Sequence, residues 1–105
     1  MDARLAAIRY LRELVLGARG NLVTFRPSRV ARELPLGSER AAAAALAAFF
    51  RELVRCGYIV AVKRSSRGWL YGLRRGSWLW RMLLEREPRE VLEELEAECK
   101  KEGRG

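Results

Sequence analysis

The stretch Lys63-Arg64-Ser65-Ser66-Arg67 places three cations and two hydroxyls side by side just before Gly68. Guanidinium forks, ammonium groups and hydroxyls in such a run suit phosphate oxygens. A second set of the same chemistry, Arg26, Ser28 and Arg29, brackets Pro27. Proline suits a first helical turn, whose free N–H groups favour anions. A third set, Ser38, Glu39 and Arg40, opens an alanine-rich stretch in which Ala43, Ala44, Ala47 and Arg51 recur at helical spacing. Bond-making chemistry has no comparable foothold. The chain has no His to serve as a general base, no Ser with a partner, no Gly-rich phosphate loop and no carboxylate pair in a setting that would shift a pKa. The expectation is a binding protein without catalytic residues or cofactor, and no motif points to a small-molecule effector. Cys56 and Cys99 lie far apart, form no CxxC and have no His to assist them, so no metal site is expected. Two reduced thiols are the expectation for a cytoplasmic chain, with a disulfide as the alternative for a hyperthermophilic source.

Charge sharpens the partner. The formal net charge of the 105 residues is +8, which favours a polyanion. Residues 1–84 carry 16 Lys or Arg against five acids, whereas residues 85–105 carry eight Glu against five bases. The basic part reads as the binding module. Eighteen of the 21 bases are Arg, which either marks phosphate and guanine recognition or reflects a GC-rich or thermophilic source. No run approaches the ~18 apolar residues of a membrane span. Met1-Asp2-Ala3-Arg4 does not lead into a signal peptide, so a cytoplasmic, nucleoid-associated protein is expected.

These groups must be held by regular elements. Residues 3–16 repeat Leu5, Ile8, Leu11 and Val15 at helical spacing, and Gly17 and Gly20 end that helix. Leu22-Val23-Thr24-Phe25 is a short strand that pairs with the edge of a later hairpin. Pro27 opens a second helix with Val30, Ala31 and Leu34 inward. Pro35 ends it, Leu36-Gly37 turns the chain, and Ser38 caps a third helix over Glu39–Cys56 with Ala42, Leu46, Phe49, Phe50 and Leu53 as its core stripe. Gly57 is its left-handed cap. Residues 58–62 and 69–73 read as two strands joined by a loop of about five residues. Ser77 caps a fourth helix and Pro88 opens a fifth.

Helix, strand, helix, tight turn, helix and basic hairpin, in that order, resembles the winged helix-turn-helix DNA-binding fold of small prokaryotic or archaeal regulators and chromosome-associated proteins. The fold class expected is therefore α+β, mostly α. A winged domain would cover residues 3–75, with a helical extension over 77–102. The resemblance implies that the third helix enters the major groove with Ser38, Glu39, Arg40, Ala43, Ala44, Ala47 and Arg51 outward, while a wing of Lys63, Arg64, Ser65, Ser66 and Arg67 meets the neighbouring backbone. Arg26, Ser28 and Arg29 would meet phosphate. A recognition surface made mostly of alanine offers few donors to base edges. It implies modest specificity, or a helix that docks on protein.

The fourth helix is apolar nearly all round, which implies burial on two sides. A second chain is an economical cover, so Trp78, Leu79, Met82, Leu83, Val91, Leu92, Leu95 and Cys99 are the expected dimerisation residues. The acidic fifth helix suits its symmetry mate, the basic body of the domain, or a solvated capping role. Trp69, Tyr71, Trp78 and Trp80 are expected in the core rather than as a stacking platform. The alternatives to a DNA-binding homodimer are an RNA-binding ribonucleoprotein component and a protein-interaction module of replication or transcription machinery.

Overall fold

The computed structural model of the chain describes residues 2–34 and 37–102. Among these, five helices and three strands follow one another as α1 (Ala3–Leu16), β1 (Leu22–Phe25), α2 (Pro27–Glu33), α3 (Glu39–Arg55), β2 (Val60–Ser65), β3 (Gly68–Arg74), α4 (Trp78–Glu85) and α5 (Pro88–Glu102). The result is a mostly helical α+β fold with one antiparallel sheet of order β1-β3-β2. The expected Pro35-Leu36 turn lies outside the described residues.

Local chemistry sets most boundaries. The Asp2 carboxylate accepts the Arg4 N–H at 2.9 Å and caps α1. Ser38 and Ser77 hydroxyls accept the Ala41 and Trp80 N–H groups and cap α3 and α4. Gly57 takes φ +83° past the end of α3. There the Tyr58 N–H reaches the Leu53 carbonyl and the Gly57 N–H that of Val54, which satisfies the last carbonyls of the helix.

One aromatic cluster joins α3 to the sheet. Phe50, fully buried, meets Phe25 of β1 at 4.9 Å, Tyr71 of β3 at 5.6 Å and Phe49 at 5.9 Å between ring centroids. Around it pack Ile8, Leu11, Val30, Leu46, Leu53 and Leu73. α1 is the common support, packed on α3, α4 and α5. Its buried face includes Ala6 and Ala7, whereas Leu5, expected inside, is only half-buried.

Three expectations are corrected here. The hairpin loop is Ser66-Arg67 alone, so Lys63, Arg64 and Ser65 are strand residues, paired with Leu70, Trp69 and Gly68. Gly68 makes this tight reversal possible at φ +96°, a conformation that non-glycine side chains resist. A bulge between Ala61 and Lys63 re-aims the strand before the reversal.

The second correction concerns the extension. Leu79, Leu83, Val91 and Leu95 are fully or almost fully buried within one chain, in the same cluster as Phe50. Trp78 packs on Tyr58 at 5.0 Å, and Met82 and Leu92 are half-buried against that cluster. α4 packs against α1, α5 and β3, with Leu79, Trp80 and Leu83 buried and Leu84 left exposed. Of the residues assigned to a second chain, Leu79, Leu83, Val91, Leu95 and Cys99 are thus buried within the chain, whereas Trp78, Met82 and Leu92 keep part of their surface exposed. Acidic α5 also meets the basic body, through Glu96 and Arg4 at 3.0 Å.

Third, Cys56 and Cys99 are not free thiols. They form a disulfide across 43 residues with Cα atoms 5.5 Å apart, a separation usual for such bonds. Cys56 caps α3 and Cys99 lies on the α5 stripe, so seating α5 on α1 brings the two together.

Closing a loop of this length should stabilise the fold by about 4 kcal/mol on the chain-entropy scale. Urea denaturation of oxidised and reduced protein measures that difference, and superimposable curves would remove the role assigned to the bond. Leu95→Ala should cost about 2–5 kcal/mol as a core truncation. Sedimentation equilibrium should give the same mass for this variant as for the parent; a fall in mass would restore Leu95 to an interface between chains.

Candidate nucleic-acid interface

α2 begins directly after β1, and this proximity decides what Arg26 does. Pro27 occupies the first helical turn and Arg26 precedes it in extended conformation, without a side-chain cap. The Arg26 guanidinium instead crosses to the hairpin, where Nη1 donates to Ser65 Oγ at 3.0 Å and to the Gly68 carbonyl at 3.3 Å. The Arg67 N–H also donates to Ser65 Oγ, at 3.2 Å. Arg26 and Ser65 therefore clamp the hairpin to α2. Nη1 of Arg26 and the Ser65 hydroxyl, both expected on phosphate, are engaged within the chain.

Next to the clamp, which ends on Gly68, lies an open concavity of ≈ 400 Å³ that Gly68 also lines. Pro27 and Ser28 form one side, Ala43, Ala44, Ala47 and Arg51 of α3 another, and Arg67, Gly68, Trp69 and Tyr71 the third. Spacing of three and four residues brings Ala44, Ala47 and Arg51 to one side of α3. Alanine leaves the space open. Tyr71 at the floor is buried, which raises its hydroxyl pKa, while the charge of Arg51 pulls it back down.

Beyond the rim, Ser38, Glu39 and Arg40 are exposed at the start of α3, and the Ser38 hydroxyl is occupied by its cap. Lys63, Arg64, Ser66 and Arg67 are exposed along the hairpin. Among the described residues, Arg40, Arg51, Lys63, Arg64 and Arg67 form no ion pair.

Arg29, also expected on phosphate, leaves the group. Arg29 follows Ser28 by one residue and so projects about 100° around α2. It lines a different hollow, of ≈ 380 Å³, with Tyr10 and Glu33. There Arg29 Nε lies 3.5 Å from Glu33 Oε1. The Tyr10 hydroxyl is pushed up to about 12, first by burial and then by its hydrogen bond to Glu33. The same bond, with the charge of Arg29, holds the Glu33 carboxyl below its ordinary value. Arg75, just past β3, donates to the Gly20 and Ala18 carbonyls at 2.9 and 3.2 Å and lies 4.8 Å over the Trp80 ring. It closes the loop after α1.

Trp69 is the residue that sequence reasoning misplaced. Trp80 is buried and Trp78 half-buried, in accord with a core role, but Trp69 is 39 % exposed and lines the concavity. Its alternation with Tyr71 and Leu73 puts it on the inner face of the sheet. The hairpin extends past the core, so there is nothing inward to cover it. Arg64 is its partner on the adjacent strand.

Among the described residues no group of three or more metal-ligating side chains assembles, and no helix is long and apolar enough to cross a membrane. No protein-family model, curated protein or solved structure matches the chain.

Arg26→Ala should cost about 1 kcal/mol of stability, the net worth of a typical hydrogen bond. Amides of residues 63–69 should exchange faster while those of α3 keep their protection. Hydrogen-exchange mass spectrometry reads both, and unchanged exchange in the hairpin would show that the clamp does not hold it.

Proposed function

We propose that this chain is a winged helix-turn-helix protein that binds duplex DNA with modest sequence specificity, as a transcription regulator or a chromosome-associated protein. The observation that carries the reading is the set of five cations, Arg40, Arg51, Lys63, Arg64 and Arg67, left without ion pairs on α3 and the hairpin. Arg4, Arg29, Arg55 and Arg86 pair with acids, and among the described residues surface arginines such as Arg9, Arg19 and Arg81 also lack an ion pair; what sets the five apart is that they are gathered on α3 and the hairpin. The element order and the β1-β3-β2 sheet accord with the winged-helix arrangement, in which α3 is the recognition helix and β2–β3 the wing. The C-terminal glutamates lie on or beside α5, packed on α1 and α4. A polyanion approaching the hairpin thus meets chiefly positive charge.

The alanines of α3 support low specificity. They let the helix come close to a groove wall but offer no donor or acceptor to a base edge, which leaves Arg40, at the exposed start of α3, and Arg51, beside the concavity, as the side chains suited to guanine. The chain works by binding, not catalysis.

If Arg51, Lys63, Arg64 and Arg67 each neutralise one phosphate, log K against log salt should have a slope of about −3.6. Arg64→Ala combined with Arg67→Ala should weaken all duplexes alike and reduce the slope by about 2, whereas Arg40→Ala should cost about 1–3 kcal/mol on a preferred site only. Anisotropy titrations over a range of salt test this. A slope near −1, or effective competition by hairpin RNA, would overturn duplex DNA as the partner.

A further inference from the structure

Trp69 is the uncovered aromatic of this molecule. Trp78 lies against Tyr58 and Trp80 under Arg75, while among the described residues no ring or guanidinium is stacked on Trp69. Its indole borders the ≈ 400 Å³ concavity, opposite a wall of α3 that includes Ala43 and Ala47. Arg51 and Arg67 line the same hollow, and Arg64 faces Trp69 across the β2–β3 ladder. The volume lies within the range of small-ligand pockets, about 300–1,000 Å³. A planar apolar surface beside three guanidinium groups suits a nucleotide, with the base on the indole and the phosphates at the arginines.

We infer that Trp69 stacks on an unpaired base, so that the preferred target is duplex DNA adjoining single-stranded nucleotides rather than uninterrupted duplex. This rests on the DNA-binding reading above and narrows it. In intact duplex the faces of the bases are already stacked on one another, and exposing one costs a few kcal/mol. At a junction with single strand the face is free. An apolar wall without donors is no handicap there, because stacking does not depend on base identity. A protein segment docked in the same hollow would instead leave DNA affinity indifferent to an unpaired base.

The test uses the full oxidised chain with a blunt duplex, the same duplex bearing a short unpaired overhang, and the overhang strand alone, read by fluorescence anisotropy. The overhang duplex should bind about 5- to 150-fold tighter than the blunt one, the range that a base–aromatic stack is worth. Trp69→Ala should reduce it to the blunt value, and Trp69→Phe should keep most of the preference. A far-UV thermal melt confirms folding of each variant. As an independent readout on the parent protein, the overhang duplex should quench tryptophan emission more than the blunt one does, and this excess should be lost in Trp69→Phe. Equal affinity for blunt and overhang duplexes, or a preference that survives Trp69→Ala, overturns the inference while duplex binding stands. Failure of all three DNAs overturns the inference and the DNA-binding reading together.

Discussion

Phe50 is the contact on which the arrangement of this molecule depends. It belongs to α3, is fully buried, and reaches Phe25 and Tyr71 on two adjacent strands. Edge and tilted ring packing is directional as well as apolar, so the cluster sets the position of α3 relative to the start of β3. The concavity is a consequence. Its floor is Tyr71, a member of the cluster, and its wall is the face of α3 that carries Ala43 and Ala47 one to two turns before Phe50. Larger side chains at those alanines would fill the space between helix and hairpin.

Against this apolar frame some arginines are committed to contacts within the chain. Arg26 and Arg75 donate to backbone carbonyls or a hydroxyl and hold loops in place. Arg29 takes part in the Tyr10–Glu33 network on another side of α2. Among the described residues, the exposed set on α3 and the hairpin forms no ion pair and is gathered on these two elements. A guanidinium with its donors engaged within the chain contributes to stability, whereas a free one raises the local positive potential and remains available to phosphate.

The C-terminal helices complete the frame. α4 fills the space between α1, α5 and β3, and α5 returns along α1 to reach the end of α3 through the disulfide. α1 and α3 are therefore braced through α5 at the C-terminal end of α3, just before the hairpin begins. A chain of this size buries a limited core, and the crosslink supplements it by constraining the unfolded state.

Helices, strands and caps were legible in the sequence, since each depends on neighbours a few residues away. Ser38, Ser77, Gly57 and the three- and four-residue repeat of Leu46, Phe49, Phe50 and Leu53 all act as their local pattern indicates. The separation of basic and acidic segments was equally plain. Tertiary structure alone decided what was shared between distant segments. It paired Cys56 with Cys99, turned Arg26 into a clamp on Ser65 and Gly68, sent Arg29 to Tyr10 and Glu33, and buried Val91 and Leu95 inside one chain. It also left Trp69 uncovered, although its alternation with Tyr71 and Leu73 matched a buried strand. Periodicity tells which side of a strand or helix a residue occupies. How far the opposing layer extends depends on contacts between residues tens of positions apart, and no local pattern carries that information.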